Sequence, residues 1–430
     1  MKKTIFKNAT VLGEDFSSAK TQNVVVEGQK IIYVGSDMPY AGEVIDCSGK
    51  ILTPAFYNAH THLSMSPMRG YGENTSLSDW LFTKIFPYEA ELKKQGLFYA
   101  TQLSLAEMIR YGTVSATDMY FNLDEVFDAV EASGCKANIS NGMTSFDVED
   151  YKSLGEYKEI DRLVDRARRS DGKIIFDIGI HAEYTNNEKA IRAAAEEAAK
   201  RGLSIQVHLS ETKKEVEECK ARHGKTPVEF LSDCKVFDVP TTAAHCVWLE
   251  ENDFDILAEK GVSAACCPKS NLKLASGISD AVKMKRKGIN VCLGTDSVAS
   301  NNNLNIFEEL RTFALVQKVK NLDPIALSPS DVLKIATRNG AVAQGRKDCG
   351  LIKEGFKADL IVVDRAPWLA PCHDISADLV YSVSGDSVYL TMCDGKILYQ
   401  NGVFTTIDVE KAAREVEIIN EKILARIGKK

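Results

Sequence analysis

Residues 51–62, ILTPAFYNAHTH, indicate the architecture of this chain more strongly than any other stretch. An apolar run over 51–59 leads directly into His60, Thr61 and His62. Side chains two positions apart on a strand point to the same face, and the strands of a parallel barrel present functional groups at their carboxyl ends. The stretch therefore predicts the first strand of a barrel, with two histidines at its mouth.

Four later segments repeat this arrangement of an apolar run followed by a residue that binds metals or transfers protons. They are His181, His208-Leu209-Ser210-Glu211, Ala244-His245-Cys246 and Gly294-Thr295-Asp296-Ser297. Since the carboxyl ends of barrel strands meet at one face, we expect all five segments to form one site.

Strand and helix patterns alternate through the middle of the chain. The apolar runs predicted as strands are 51–59, 112–117, 135–143, 174–180, 203–207, 241–244, 262–267 and 289–293. The stretches between them carry helix formers and apolar residues at helical spacing. The sequence thus predicts an α/β fold, a (β/α)8 TIM barrel with the catalytic domain at residues 55–348.

The two ends of the chain read differently from the middle. Residues 1–54 and 349–405 contain short β-type runs separated by glycine-containing turns. Neither piece is large enough to enclose a core alone, so we expect them to pair into one small β-sandwich. Residues 406–430 predict a charged amphipathic helix on the outside of the barrel.

Composition excludes several classes of protein. The chain has 430 residues, 44% of them hydrophobic, and a formal net charge of -7. An acidic chain is not expected to bind nucleic acid, and no apolar run is long enough to predict a membrane span. The 11 cysteines form no CxxC pair, which favours reduced thiols. We expect a cytoplasmic enzyme with a small heterocyclic substrate, and a homo-oligomer because barrel helices commonly dimerise.

The ligand types predict one divalent metal ion. A lone strand histidine is usually a core residue, but His60 and His62 at i and i+2 are joined by His208 and Asp296 from later strands. Three imidazoles and a carboxylate suit Zn²⁺, with Fe²⁺ as the alternative, and leave a position open for water. Such a metal lowers the pKa of bound water to about 7, so hydrolysis is the expected reaction class.

Two further residues are candidates for proton transfer. Glu211 follows His208 by three positions and can lie beside the metal without ligating it. The alternative is a structural carboxylate at the start of the following helix. His245 can orient the attacking water or stabilise charge, and its alternative is a buried, hydrogen-bonded histidine.

A family resemblance adds to this interpretation. The segments that carry it are 58–62 (NAHTH), 80–89 (WLFTKIFPYE), 208–212 (HLSET), 243–246 (AAHC), 270–274 (SNLKL) and 294–302 (GTDSVASNN). They resemble the amidohydrolase superfamily, in the branch of 5′-methylthioadenosine/S-adenosylhomocysteine deaminases and chlorohydrolases. The resemblance covers nearly the whole chain.

The resemblance implies roles for the site residues. His60, His62, His208 and Asp296 would bind one metal, and Glu211 would protonate a ring nitrogen of the substrate. His245 and Asp296 would activate the attacking water, and Asp296 would pass a proton to the leaving ammonia. Binuclear relatives need a lysine at the end of strand four. Residues 174–184 contain none, so a mononuclear site is implied.

The resemblance also implies substrate contacts. Glu89 matches a carboxylate that binds the two ribose hydroxyls, and His181 matches a nucleoside contact. A surface glutamate and a polar strand-end histidine are the respective alternatives. Trp80 is a candidate for base stacking, although core packing is favoured. Glu183, in a loop where the deaminases usually carry His-Ser-Pro-Tyr, is expected to bring an acidic group to the pocket rim.

One departure from the family narrows the substrate. The chain has no arginine between Arg110 and Arg162, where relatives bind the carboxylate of S-adenosylhomocysteine. The leading hypothesis is therefore deamination of adenine nucleosides with a small 5′ group. The alternative is deamination of a free purine, pterin or related heterocycle, or a triazine-type chlorohydrolase, on the same metal site. A non-catalytic binding protein and a cyclic-amide hydrolase are the remaining hypotheses.

Overall fold

The computed structural model describes residues 2–75, 77–93, 96–146 and 151–428. Within these ranges the strands are, in chain order, β1 (Lys3–Leu12), β2 (Ala19–Glu27), β3 (Lys30–Gly35), β4 (Glu43–Asp46), β5 (Lys50–Pro54), β6 (Phe56–Thr61), β7 (Thr113–Tyr120), β8 (Lys136–Asn141), β9 (Ile174–Ile180), β10 (Ile205–Leu209), β11 (Thr241–His245), β12 (Ser263–Cys266), β13 (Asn290–Leu293), β14 (Leu360–Asp364), β15 (Val388–Cys393), β16 (Lys396–Gln400) and β17 (Val403–Phe404).

The α-helices of the same ranges are α1 (Leu77–Asp79), α2 (Phe86–Leu92), α3 (Phe98–Arg110), α4 (Leu123–Ser133), α5 (Gly155–Arg168), α6 (Glu188–Arg201), α7 (Lys213–His223), α8 (Pro227–Asp233), α9 (Glu251–Glu259), α10 (Pro268–Lys273), α11 (Ala281–Arg286), α12 (Val298–Asn301), α13 (Ile306–Asn321), α14 (Pro329–Lys334), α15 (Gly340–Ala343), α16 (Ile375–Ala377) and α17 (Val409–Ile427). Segments of π-helix span Trp80–Ile85, Ile335–Asn339 and Asp378–Ser382.

Strands β6 to β13 form the barrel. They are hydrogen-bonded in chain order, and every neighbouring pair is parallel. Hydrogen bonds also join the two ends of this sheet: Asn58 Nδ2 donates to Thr295 Oγ1 at 2.7 Å, and the backbone N–H of Asp296 donates to the carbonyl of His60 at 3.0 Å. The predicted barrel of eight β/α units is confirmed.

The terminal segments combine as expected. Strands β1 to β5 and β14 to β17 are hydrogen-bonded into one sheet, with β5 between β1 and β14. A separate apolar cluster, which includes Phe6, Val24, Leu52, Val362 and Leu390, draws residues from both ends of the chain. The core of this unit therefore exists only when the two ends meet.

The run over 51–59, predicted as one strand, is divided in the structure. Its first part, β5, pairs with β1 and β14 of the terminal sheet, whereas β6 pairs with β7 of the barrel. Pro54 stands at the division and has no N–H with which to continue a ladder. The boundary between terminal unit and barrel thus falls inside a continuous apolar run.

Helix α17 is the predicted amphipathic helix at the end of the chain. It buries Ala412, Val416, Ile419 and Ile423, which share one face at helical spacing, and packs against α2 and α3.

The 11 cysteines are all free, and all except Cys372 are buried. In the described part of the chain, no helix is both long and apolar enough to cross a membrane.

A buried ionic cluster joins the barrel to the terminal sheet. Lys136, at the start of β8, contacts the carboxylate of Asp359 and lies 2.8 Å from Oδ1 of Asp394. The hydroxyl of Tyr57 in β6 also donates to Asp359. Burial would raise the pKa of Asp359, but the Lys136 ammonium outweighs it and holds that pKa below its usual range. The cluster therefore stays charged.

We expect Lys136→Met to lower the free energy of unfolding by about 3 kcal/mol, because the buried carboxylate of Asp359 loses its cation and Asp394 keeps only the more distant Lys357, at 3.7 Å. Urea titration at neutral pH measures this change. The matched control is Lys353→Met, which breaks an exposed ion pair with Glu14 whose side chains are 48% and 51% accessible. Exposed pairs contribute about 1 kcal/mol or less. Equal effects of the two substitutions would contradict a stabilising role for Lys136.

Candidate active site

Three imidazoles meet at the carboxyl ends of β6 and β10. The ligand nitrogens of His60, His62 and His208 all lie within 4.8 Å of one another. The Nε2 atoms of His62 and His208 are 3.4 Å apart. Residues that are 146 positions apart in sequence therefore form one cluster, as the strand-end pattern predicted.

Backbone carbonyls orient two of these rings. Nδ1 of His62 donates to the carbonyl of Met119 at 2.6 Å, and Nδ1 of His208 donates to the carbonyl of His181 at 2.5 Å. Because Nδ1 carries the proton in each ring, Nε2 is left as the ligand atom. Both Nε2 atoms face the centre of the cluster.

Asp296 completes the cluster from the loop after β13. Its Oδ1 lies 3.5 Å from Nε2 of His60 and 3.3 Å from Nε2 of His62. The hydroxyls of Ser270 and Ser300 donate to its other oxygen at 2.6 and 2.7 Å. Burial alone would raise the pKa of Asp296, but the two histidines outweigh it and hold the pKa well below its usual range. The carboxylate is therefore ionised and fixed in orientation.

The donor set fits a divalent metal ion. Nε2 of His60 is buried and makes no hydrogen bond to any described residue, although a buried polar atom normally has a partner. Burial also lowers the pKa of His60 to about 4, so its nitrogen keeps a free lone pair at neutral pH. Three imidazole nitrogens and one carboxylate are a ligand set that zinc and similar metals accept.

Glu211 and His245 lie beside the cluster. Oε2 of Glu211 is 3.8 Å from Nε2 of His245, and Oε1 accepts a hydrogen bond from Ser276 at 3.2 Å. Nδ1 of His245 donates to Oδ1 of Asn271 at 2.9 Å. Burial raises the pKa of Glu211, which favours the protonated form that a general acid needs.

The loops that carry these groups have strained backbone. Ser210, His245, Cys246 and Asp296 all have left-handed φ values, between 48° and 72°, although none is glycine. Such conformations persist only where the surrounding structure enforces them, and they concentrate at functional sites. Here the carboxylate of Glu215 accepts from the backbone N–H groups of Ser210 and Glu211, at 2.8 and 2.7 Å.

A cavity of about 760 Å³ opens from the cluster. Glu89, His181 and Trp80, the substrate contacts expected from the sequence, all line it together with His62, His208, Glu211, His245 and Asp296. Trp80 is also 7% exposed and belongs to the apolar core. The same side chain therefore packs in the core and forms part of the cavity wall. Burial raises the pKa of Glu89, and Tyr120 and His62 partly oppose that shift.

Glu183 corrects an expectation from the sequence. Its side chain does not line the cavity; it is buried against α7, where its Oε1 accepts a hydrogen bond from Arg222 at 2.5 Å. Nε2 of His223 lies 3.9 Å from the other oxygen. Because Arg222 neutralises the carboxylate, Glu183 does not place an acidic group at the pocket rim.

Several residues that hold the site were assigned no role from the sequence. Ser270, Asn271 and Ser300 lie in the motifs that carry the family resemblance, but their partners are visible only in the structure. Glu215 had a local signal, since Thr212 and Glu215 form a capping box at the start of α7. Ser276 had no such signal, because its partner Glu211 is 65 positions away.

Comparison with known proteins identifies the family to which the chain belongs. Residues 51–398 match the amidohydrolase family. The chain is 42% identical to the 5′-deoxyadenosine deaminase of Methanosarcina acetivorans, with 98% of each chain covered. It is 38% identical to the 5-methylthioadenosine/S-adenosylhomocysteine deaminase of Pelotomaculum thermopropionicum, covering 97% of this chain and 98% of that relative.

A solved structure extends this similarity to the fold. An adenosine deaminase from Xanthomonas campestris with bound zinc superposes with a TM-score of 0.91 at 27% identity, covering 99% of both chains. The terminal sheet and the barrel are therefore shared along the whole length.

Proposed function

The chain belongs to the amidohydrolase family, and we propose that it deaminates adenine nucleosides with a small 5′ group. The candidates are 5′-methylthioadenosine, 5′-deoxyadenosine and adenosine, with S-adenosylhomocysteine as a weak substrate. Water replaces the exocyclic amino group, so the products are the inosine analogue and ammonia. The supporting observation is that His62, His208, Asp296, Glu211, His245 and Glu89 all line one cavity, with His60 directly behind them in the same cluster.

The proposed metal is Zn²⁺, with Fe²⁺ as the alternative, held by His60, His62, His208 and Asp296. When bound, this ion supplies a water molecule that is activated for attack at neutral pH. The zinc in the Xanthomonas campestris structure supports this choice. Residues 174–184 contain no lysine, which supports a single metal.

The chain's own residues carry the proton transfers. Glu211 donates a proton to the ring nitrogen beside the reacting carbon, and burial, which raises its pKa, favours this role. Asn271 keeps the proton of His245 on Nδ1, so Nε2 faces the attacking water. Asp296, fixed by two serine hydroxyls, accepts one proton from the water and passes it to the amino group, which leaves as ammonia. Glu211 takes back the second proton of the water as the product carbonyl forms.

The cavity wall supports a small 5′ group. Leu81, Ile85, Phe86 and Phe121 line it, and none of its described lining residues is an arginine. A homocysteine carboxylate would therefore lack the bidentate partner that arginine provides. A cytoplasmic location and a homo-oligomeric state stay predictions.

Ammonia release tests the substrate class, with zinc-loaded wild type and Glu89→Gln measured on the same panel. The panel contains adenosine, 5′-methylthioadenosine, 5′-deoxyadenosine, S-adenosylhomocysteine, adenine, guanine and cytosine. We expect turnover of nucleosides with small 5′ groups, and a loss in kcat/KM of about 100-fold in Glu89→Gln, because hydrogen bonds from the ribose hydroxyls to a charged acceptor are weakened.

The same panel contains the contrary outcomes. Turnover of free bases alone, with Glu89→Gln as active as wild type, would refute the ribose assignment and support the heterocycle alternative. The matched control is Glu91→Gln on the same helix, whose carboxylate is buried beside Arg426 and does not line the cavity. If Glu91→Gln keeps wild-type activity, the loss in Glu89→Gln comes from the missing cavity carboxylate and not from a disturbance of α2.

A further inference from the structure

The side chain of Tyr120 lies at the carboxyl end of β7 and has no role in the scheme above. It is 5% exposed, and its hydroxyl makes no hydrogen bond to any described residue. Leaving a buried donor unpaired costs about 1–3 kcal/mol, and native proteins rarely tolerate it without a reason. The hydroxyl is therefore suited to a partner that the protein itself does not provide.

The surroundings of Tyr120 point to that partner. Its ring lines the cavity and is stacked on Phe121, with centroids 4.1 Å apart. On the other side, the ring centroid lies 6.4 Å from that of His62. The ring is therefore held in place in the cavity wall, beside the proposed metal ligand His62.

Glu89 is the charged neighbour of this hydroxyl. Burial, and then the negative charge of Glu89, raise the pKa of Tyr120 well above its usual value. Tyr120 in turn opposes the rise that burial causes in the pKa of Glu89. Glu89 and Tyr120 line the same cavity, so one ligand can contact both, and the phenol remains a donor at neutral pH.

We propose that Tyr120 is a substrate-binding residue that recognises a ribose hydroxyl together with Glu89. This inference rests on the proposed function and deepens it. The Tyr120 hydroxyl donates to the oxygen of a sugar hydroxyl, while the hydrogen of that sugar hydroxyl is donated to Glu89. A ribose hydroxyl is both donor and acceptor, so it satisfies both groups. A deoxy sugar would leave them unpaired.

The test compares Tyr120→Phe with wild type on adenosine, 2′-deoxyadenosine and 3′-deoxyadenosine. We expect kcat/KM for adenosine to fall about tenfold or more, the effect of one hydrogen bond in a charged network. For the deoxynucleoside that lacks the bound hydroxyl, the loss should be less than twofold. In the Glu89→Gln background, the additional effect of Tyr120→Phe on adenosine should also shrink.

The control is Tyr381→Phe. Tyr381 lies in the π-helical segment Asp378–Ser382; its hydroxyl is also buried without a hydrogen-bond partner among the described residues, and it does not line the cavity. We expect it to leave all three rates unchanged. Equal losses on all three substrates in Tyr120→Phe would overturn the proposal and indicate a structural role. Failure of wild type on every nucleoside would refute the proposed function, and this inference with it.

Discussion

Glu211→Gln should lower kcat by about 10³-fold while leaving the metal content unchanged. A positioned general acid contributes roughly 10²–10⁴-fold, and glutamine keeps the shape of the side chain but cannot deliver a proton. Glu211 is 3.8 Å from His245 and is held by Ser276, so the amide can be accommodated without moving the loop. The measurements are steady-state kinetics on 5′-deoxyadenosine and the metal-to-protein ratio.

The matched control for this substitution is Glu217→Gln, on the solvent side of α7. Its side chain is 64% exposed, and it pairs with Lys213 at the start of the same helix. We expect wild-type rates from this variant. If Glu211→Gln retained more than about a tenth of the wild-type kcat, the loss would be smaller than the roughly 10²–10⁴-fold contribution of a general acid, and another group would have to supply the proton.

His60→Ala is the second large effect that we expect. Nε2 of His60 is buried and makes no hydrogen bond to any described residue, and Oδ1 of Asp296, 3.5 Å away, is itself a proposed ligand. Its loss should therefore remove a metal ligand without removing a structural hydrogen bond of that atom. We expect zinc content to fall from about one ion per chain to a small fraction, and activity to fall on the order of 10³-fold, since metal activation of water supplies several kcal/mol.

Metal analysis after dialysis and the absorption spectrum of the cobalt-substituted protein measure the binding directly, independently of turnover. His373→Ala provides the control, because His373 is exposed and lies outside the metal cluster. Chelation of the wild type should abolish activity, and added Zn²⁺ should restore it. A His60→Ala variant that still bound one zinc per chain would exclude His60 as a ligand.

The architecture and the metal cluster were accessible from local sequence patterns. An apolar run followed by a polar residue is a local signal, and the geometry of a parallel barrel brings such strand ends together without further information. This is why His60, His62, His208 and Asp296 were predicted as a group. In the structure the three histidines form one cluster, and Oδ1 of Asp296 lies 3.3 Å from Nε2 of His62. The pairing of the terminal segments followed from their small size.

The surroundings of each site residue could not be predicted from local sequence patterns. Glu183 follows a strand end as the other candidates do, but Arg222 on α7 draws its carboxylate away from the cavity. Tyr120 ends an apolar strand like any core residue, yet its hydroxyl is the unpaired donor beside Glu89. These outcomes depend on which side chain from a distant element reaches the same position.

Sequence alone was sufficient to predict the barrel and to place the candidate ligands at strand ends, because the period of a strand is set by residues that are close in the chain and a parallel barrel brings the strand ends together. Only the tertiary structure revealed the orientation of the candidate ligands, through contacts such as that of His62 with the carbonyl of Met119, 57 positions apart. It also placed the division between β5 and β6 within one apolar run. Hydrogen-bond partners and burial are properties of the folded chain, since they arise when distant segments exclude water together.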